Sequence, residues 1–282
     1  MRGMIKELKV NFYRIVRSKS FVVILILLIL GAVISSLEIK FLADNPFNWI
    51  DSFKTGLTDA AASEEDLESF NVIFTSIDSI RDVNKLSGVV RLTLCSDLVC
   101  FLYCIFVALF ISAEYKSRFH VNHFSLNNNP IRVIFLEWLS LALTIILVES
   151  VRFIFALGLS YLLCDTFIFD DIVRTMAYIV LIFGVMITFM SFSFMIAYLR
   201  RSGGLAIVLS SLFCLGFFDF FLEIISVWFP FVDKISLNQL LNTIAMNRLS
   251  ASDYTVELVI VAIFIMVFLS VPLIVSSKRD PY

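Results

Sequence analysis

The chain has 282 residues, 60% of them hydrophobic and only 16% charged, with a mean hydropathy of +0.94 and a formal net charge of -2. Soluble domains run about 45–50% apolar and about 25% charged, so this composition excludes a soluble globular enzyme, a nucleic-acid binder and a disordered chain. Nine Gly and five Pro are too few for a fibrous or low-complexity protein, which leaves an all-α polytopic membrane protein, one transmembrane domain over residues 1–282.

Residues 1–20 read as an amphipathic helix. Ile5, Leu8, Phe12, Ile15 and Val16 fall near one helical face, and Lys6, Lys9, Arg14 and Arg17 lie largely elsewhere. Such a helix lies in the headgroup plane, with its cations near anionic lipid. A spanning helix needs roughly 20 mostly apolar residues, because about 30 Å of hydrocarbon is crossed at about 1.5 Å per residue. Six windows meet that need: 21–37, 92–113, 133–164, 172–199, 205–228 and 256–275. The run FVVILILLIL at 21–30 has no alternation of polarity, against a β-barrel. The first window also lacks a small-x-small cleavage site, so a cleavable signal peptide is not expected.

The segment 38–92 is an acidic outer loop, expected to carry one or two short helices. Within it, Ser63 before Glu64, Glu65 and Asp66 resembles a helix start. The segment 114–131 is a mixed basic and aromatic stretch. The segment 229–254 contains Pro230, which breaks the preceding helix, and an amphipathic stretch at 235–244. That stretch is too short to span and suits a re-entrant or interfacial outer helix.

Orientation follows the placement of Lys and Arg. Arg2, Lys6, Lys9, Arg14, Arg17 and Lys19 precede the first window, and Lys116, Arg118 and Arg132 lie between the second and third. Arg200 and Arg201 follow the fourth, and Lys278 and Arg279 follow the sixth. The outer loop 38–92 carries twice as many acidic as basic residues. Six spans with both termini on the basic, cytoplasmic side satisfy this pattern.

Catalytic and cofactor-binding signatures are not visible. There is no G-x-x-x-x-G-K-[ST] loop to cradle phosphates. Cys95, Cys100, Cys104, Cys164 and Cys214 form no C-x-x-C pair and read as small hydrophobes. His120 and His123 lack a third ligand for zinc. No catalytic, cofactor or metal residues are therefore assigned to this chain.

Carboxylates in or near the spans carry more information, because each charge at mid-bilayer costs about 2.5–3.5 kcal/mol on the insertion scale. Glu149 and Arg152 share a helix face at a spacing of three and can pair in cis, either as a structural clamp or along a substrate path. Asp219 and Glu223, four apart and ringed by Phe217, Phe218, Phe220 and Phe221, can meet a cation or simply reach water. Asp97 stands near the start of the second window. Glu137 and Glu257 are expected to snorkel to an interface.

The stretch EYKSRFHVNHFSLNNNPIR at 114–132 puts a carboxylate where the second span exits, then a short helix, an Asn turn and Pro130. Here the chain resembles the permease subunits of ABC-2 type ABC transporters, at Glu114, Tyr115, Lys116, Ser117, Asn122, Pro130 and Arg132. Arg14, Arg17, Ser18, Lys19 and Phe21 are similar to that family's N-terminal helix. Arg118 and Phe119 stand where Gly-Thr is usual, and Asn127–Asn129 resembles an insertion. The resemblance implies a multi-pass protein of the bacterial cytoplasmic membrane, working with a second permease chain, like or unlike, and two separate ATPase subunits that bind ATP and Mg. It further implies a coupling helix docking on the ATPase through Glu114, Tyr115, Lys116, Arg118 and Phe119. Family members of this size often export peptides, bacteriocins or antibiotics, so a peptide or amphipathic passenger is the expected substrate. A membrane immunity or sensor protein that binds a peptide without moving it is the alternative.

Overall fold

The computed structural model describes residues 2–44, 85–117, 129–164, 167–226, 228, 236–245 and 251–278. Among the described residues the protein is all-helical, with ten helices and a single isolated bridge between Lys85 and Ile168. In chain order they are α1 (Arg2–Arg17), α2 (Lys19–Asp44), α3 (Leu86–Leu94), α4 (Asp97–Lys116) and α5 (Pro130–Leu163). There follow α6 (Ile172–Arg200), α7 (Gly203–Cys214), α8 (Phe217–Ser226), α9 (Leu237–Ala245) and α10 (Ala251–Lys278).

Five of these, α2, α4, α5, α6 and α10, are long and apolar enough to cross a membrane. The pair α7–α8 makes a sixth only if counted as one broken span, because it bends by 58°. The bend has a local cause. Gly216 closes α7 at φ 75°, a left-handed conformation that suits glycine. Other helix ends are equally legible. Pro130 opens α5 behind Asn129, whose side chain accepts the Arg132 N–H at 3.2 Å. Asp171 caps α6 by accepting the Arg174 N–H at 3.1 Å. Arg201 ends α6 at φ 53°.

The burial pattern sorts the long helices. In the most apolar windows of α4, α5 and α6, 61, 56 and 61% of residues are buried, against 22% in α2 and 17% in α10. The first three form the core, around Phe106, Phe189, Phe194, Ile111 and Leu141. The flanking α2 and α10 turn most of their apolar surface outward, as lipid-facing helices do.

Chain direction follows from side-chain neighbours. Gly184 of α6 lies against Val261 of α10, and Phe192 packs on Phe268 with centroids 5.2 Å apart, so these helices run parallel. In α7, Gly203 lies against Ser112 of α4 while Cys214 Sγ is 3.6 Å from Cys104 Sγ, so these two run antiparallel. Ser36 of α2 donates to the Ala156 carbonyl of α5 at 3.3 Å. By this tracing, the outward ends of α1 and α10 lie at one end of the bundle, called here the basic end. The short helices α3 and α9 lie at the far end and touch each other.

Two sequence boundaries shift. The helix expected over 21–37 runs over Lys19–Asp44, and the first residues of the second window, 92–94, belong to α3, a separate and largely buried helix, so the long helix there starts at Asp97. The helix start at Ser63, with Glu64, Glu65 and Asp66, and both His120 and His123 lie outside the described residues.

Candidate functional site

The basic end is assembled from α1, α4, α5 and α6. Packing against α5, α1 buries Asn11 and Ile15, and leaves Ile5, Phe12 and Val16 at 64, 37 and 39% exposure. The apolar face read from the sequence is thus divided: Ile15 faces protein, and Ile5, Phe12 and Val16 are uncovered. Glu114, in the last turn of α4, is buried and takes a hydrogen-bonded ion pair from Arg14 Nη2. Arg14 Nη1 donates to Asn11 Oδ1 at 3.2 Å, and the guanidinium lies 6.0 Å from the Phe110 ring centroid. Burial lowers the Arg14 pKa to about 10, with the nearby charge of Glu137 opposing the fall, so Arg14 stays cationic at neutral pH. Two turns earlier on α1, Glu7 pairs with Arg132 at 3.2 Å, on the first turn of α5.

The other residues assigned to this segment divide. Tyr115 packs its ring on Tyr198 at 5.9 Å and lies under the Arg201 guanidinium, 5.6 Å from the centroid. Its hydroxyl donates to the Tyr198 carbonyl at 3.4 Å. Lys116 is exposed. Arg118 and Phe119 lie outside the described residues. Glu137 departs from its expected interfacial role: it is 3% exposed and lies within electrostatic reach of Arg14 and Tyr115. Its position between helices was invisible in a linear reading.

Glu149 and Arg152 form a second polar group inside the bundle, at 0 and 4% exposure. Arg152 Nε donates to Glu149 Oε1 at 2.8 Å, and Nη2 donates to the same oxygen and to the Thr93 carbonyl of α3. Tyr103 of α4 donates its hydroxyl to Glu149 Oε2 at 2.7 Å. Three helices therefore meet on one ion pair. Sequence spacing identified the pair, whereas Tyr103 and Thr93 carried no signal beyond being polar in apolar stretches.

The third group lies at the far end, around a cavity of about 340 Å³ lined by Asp97, Asp219, Ser236, Asn238, Gln239 and Asn242, with the α7–α8 bend. Ser236 Oγ and Asn238 Nδ2 each donate to Asp219 at 2.7 Å. The carboxylate facing Asp219 across this cavity is Asp97. Glu223, expected to pair with Asp219, is on α8, and the position of its side chain lies outside what is described. Glu149 and Asp219 belong to separate groups. Among the described residues no cluster of His, Cys, Asp and Glu has the arrangement to hold a metal ion, and all five cysteines are free.

No family model, no curated protein and no solved structure matches this chain.

Proposed function

We propose that this chain is the permease subunit of an ABC-2 type transporter in the bacterial cytoplasmic membrane, driven by separate ATPase subunits that bind ATP and Mg. In this reading it has six spans, the kinked α7–α8 pair being the fifth, and both termini are cytoplasmic. The observation that carries the reading is that one amphipathic helix grips both flanks of the segment between α4 and α5. Arg14 holds Glu114 on one flank, and Glu7 holds Arg132 on the other.

A short cytoplasmic segment held in this way suits a lever. A push on residues 118–128 by an ATPase closing on ATP cannot be absorbed by fraying either flank. It passes as rigid-body movement into α4 and α5, two of the three core helices. The uncovered Ile5, Phe12 and Val16 face of α1 rests in the headgroup boundary and keeps the lever at the membrane surface. A second permease chain, like or unlike, completes the pathway for a peptide or amphipathic passenger.

The test is purification from native membranes in mild detergent, then reconstitution in vesicles. A nucleotide-hydrolysing subunit is expected to co-purify. Glu114→Arg and Arg14→Glu should each uncouple hydrolysis from transport, and the double swap should restore coupling. A chain that carries its passenger or protects cells with no ATPase attached would overturn the proposal in favour of an immunity or sensor protein.

A further inference from the structure

Cys104 of α4 and Cys214, the last residue of α7, are 110 positions apart in the chain, yet their sulfurs lie 3.6 Å from each other. Both residues are buried, at 1 and 2% exposure. The Cys104 thiol donates to the Phe189 carbonyl at 3.4 Å. With that hydrogen spent, Cys214 is the donor between the two sulfurs, and a lone pair of Cys104 is turned toward Cys214. The two helices also approach closely at their other shared point, where a Cβ on Gly203 would meet Ser112 Cβ at 2.8 Å. A disulfide needs sulfurs about 2.05 Å apart, so this pair has to close by about 1.5 Å. The surroundings of the two thiols differ. Cys214 belongs to the wall of the far-end cavity of about 340 Å³, shared with Asp219, Ser236 and Asn238, and Cys104 lies off that wall. Such a cavity has room for several small polar molecules, water taking roughly 30 Å³ in the liquid.

We propose that Cys104 and Cys214 form a reversible disulfide, with hydrogen peroxide as the oxidant, and that the bridge locks α7 to α4. The Cys214 sulfur attacks one peroxide oxygen from the cavity side. The O–O bond breaks, leaving a sulfenic acid on Cys214 and one water. The Cys104 sulfur then attacks the Cys214 sulfur. The S–S bond forms, the S–O bond breaks, and the departing hydroxide takes the Cys104 proton as a second water. Two thiols thereby lose two electrons to one peroxide, and a dithiol reductant reverses the change. The bridge lies two residues before the bend at Gly216, so it fastens the α7–α8 pair to a core helix. The inference holds whether or not the chain transports anything. The orientation proposed above decides only that peroxide arrives from the outer side, where disulfides persist.

The experiment treats native membranes holding the full chain with hydrogen peroxide, blocks the remaining thiols with N-ethylmaleimide in denaturant, and reads the peptides by mass spectrometry. Free thiols are expected to fall from the five of the untreated chain to three, with Cys104 and Cys214 recovered in one linked peptide that dithiothreitol releases. Cys104→Ser should raise dimedone labelling of Cys214 about tenfold over wild type, because the sulfenic acid no longer condenses with a thiol. Cys214→Ser should leave Cys104 reduced. Recovery of both wild-type residues as N-ethylmaleimide adducts, or linked to other cysteines, would overturn the proposal, as would oxidation of Cys104 in the Cys214→Ser variant. The lock has its own readout: bridging should slow amide exchange in α7 and α8 several-fold, and unchanged exchange would overturn that part. None of these measurements uses a transport assay, so their failure is distinct from failure of the transporter reading.

Discussion

Arg152 holds three helices to one point, and the cost of removing it or its partner Glu149 should exceed that of removing the Tyr103 hydroxyl. Desolvating the ion pair is expensive, and the fold recovers that cost only because Tyr103, Thr93 and the pair itself supply hydrogen bonds. Arg152→Gln or Glu149→Gln should each lower stability by about 3–5 kcal/mol, since each leaves an uncompensated buried charge. Tyr103→Phe should cost less, about 1.5–3 kcal/mol, the usual range for a hydrogen bond to a charged group. Replacing both charges at once by Met and Leu should cost less than the two single changes summed. Thermal unfolding in detergent checks the ranking, and strictly additive losses would sink it. The spacing of three that pairs Glu149 with Arg152 is a property of one helix and was readable from the sequence. Tyr103 and Thr93 reach the pair from other helices, so no local pattern announced them. The same logic applies at the far end, where Asp97, distant in sequence, lines one cavity with Asp219.

At the scale of elements, two glycines set how helices turn and approach. Gly216 takes φ 75°, and a Cβ there would lie 3.1 Å from Asp219 Oδ2. Gly216→Ala should therefore destabilise the α7–α8 bend by about 1 kcal/mol or more and disturb the contacts of Asp219 with Ser236 and Asn238. Faster hydrogen exchange confined to α8 and α9 is the expected readout, and unchanged exchange there would count against this account of the kink. Between α6 and α10, a Cβ on Gly184 would meet Val261 Cγ1 at 2.8 Å. Gly184→Ala should push the helices apart, and Val261→Ala should relieve it. A double-mutant cycle on unfolding should give a favourable coupling of about 0.5–3 kcal/mol. A coupling near zero would mean that α10 yields without cost. The continuous apolar stretch 205–228 reads as one helix by composition. Its division came from the backbone at a single glycine, a choice that hydropathy does not encode.

For the whole molecule, α1 is the part whose docking can be separated from insertion. The five long apolar helices owe their place to hydrophobicity, whereas α1 is held mainly by Arg14–Glu114, Glu7–Arg132 and the burial of Ile15 and Asn11. Arg14→Ala should leave the protein in the membrane at near wild-type amount but raise amide exchange along α1 several-fold. Loss of the whole protein, or an unchanged α1, would contradict this division. Length and hydropathy alone marked the membrane class, the helical class and nearly every long helix, because burying about 20 apolar residues in hydrocarbon is a local requirement that each segment meets by itself. Packing alone decided that α2 and α10 face outward, that Glu137 is interior, that α1 shows one side to protein and another outward, and which polar groups meet. Those outcomes depend on contacts between helices far apart in sequence, whose energies come from shape and hydrogen-bond geometry and leave no periodic trace along the chain.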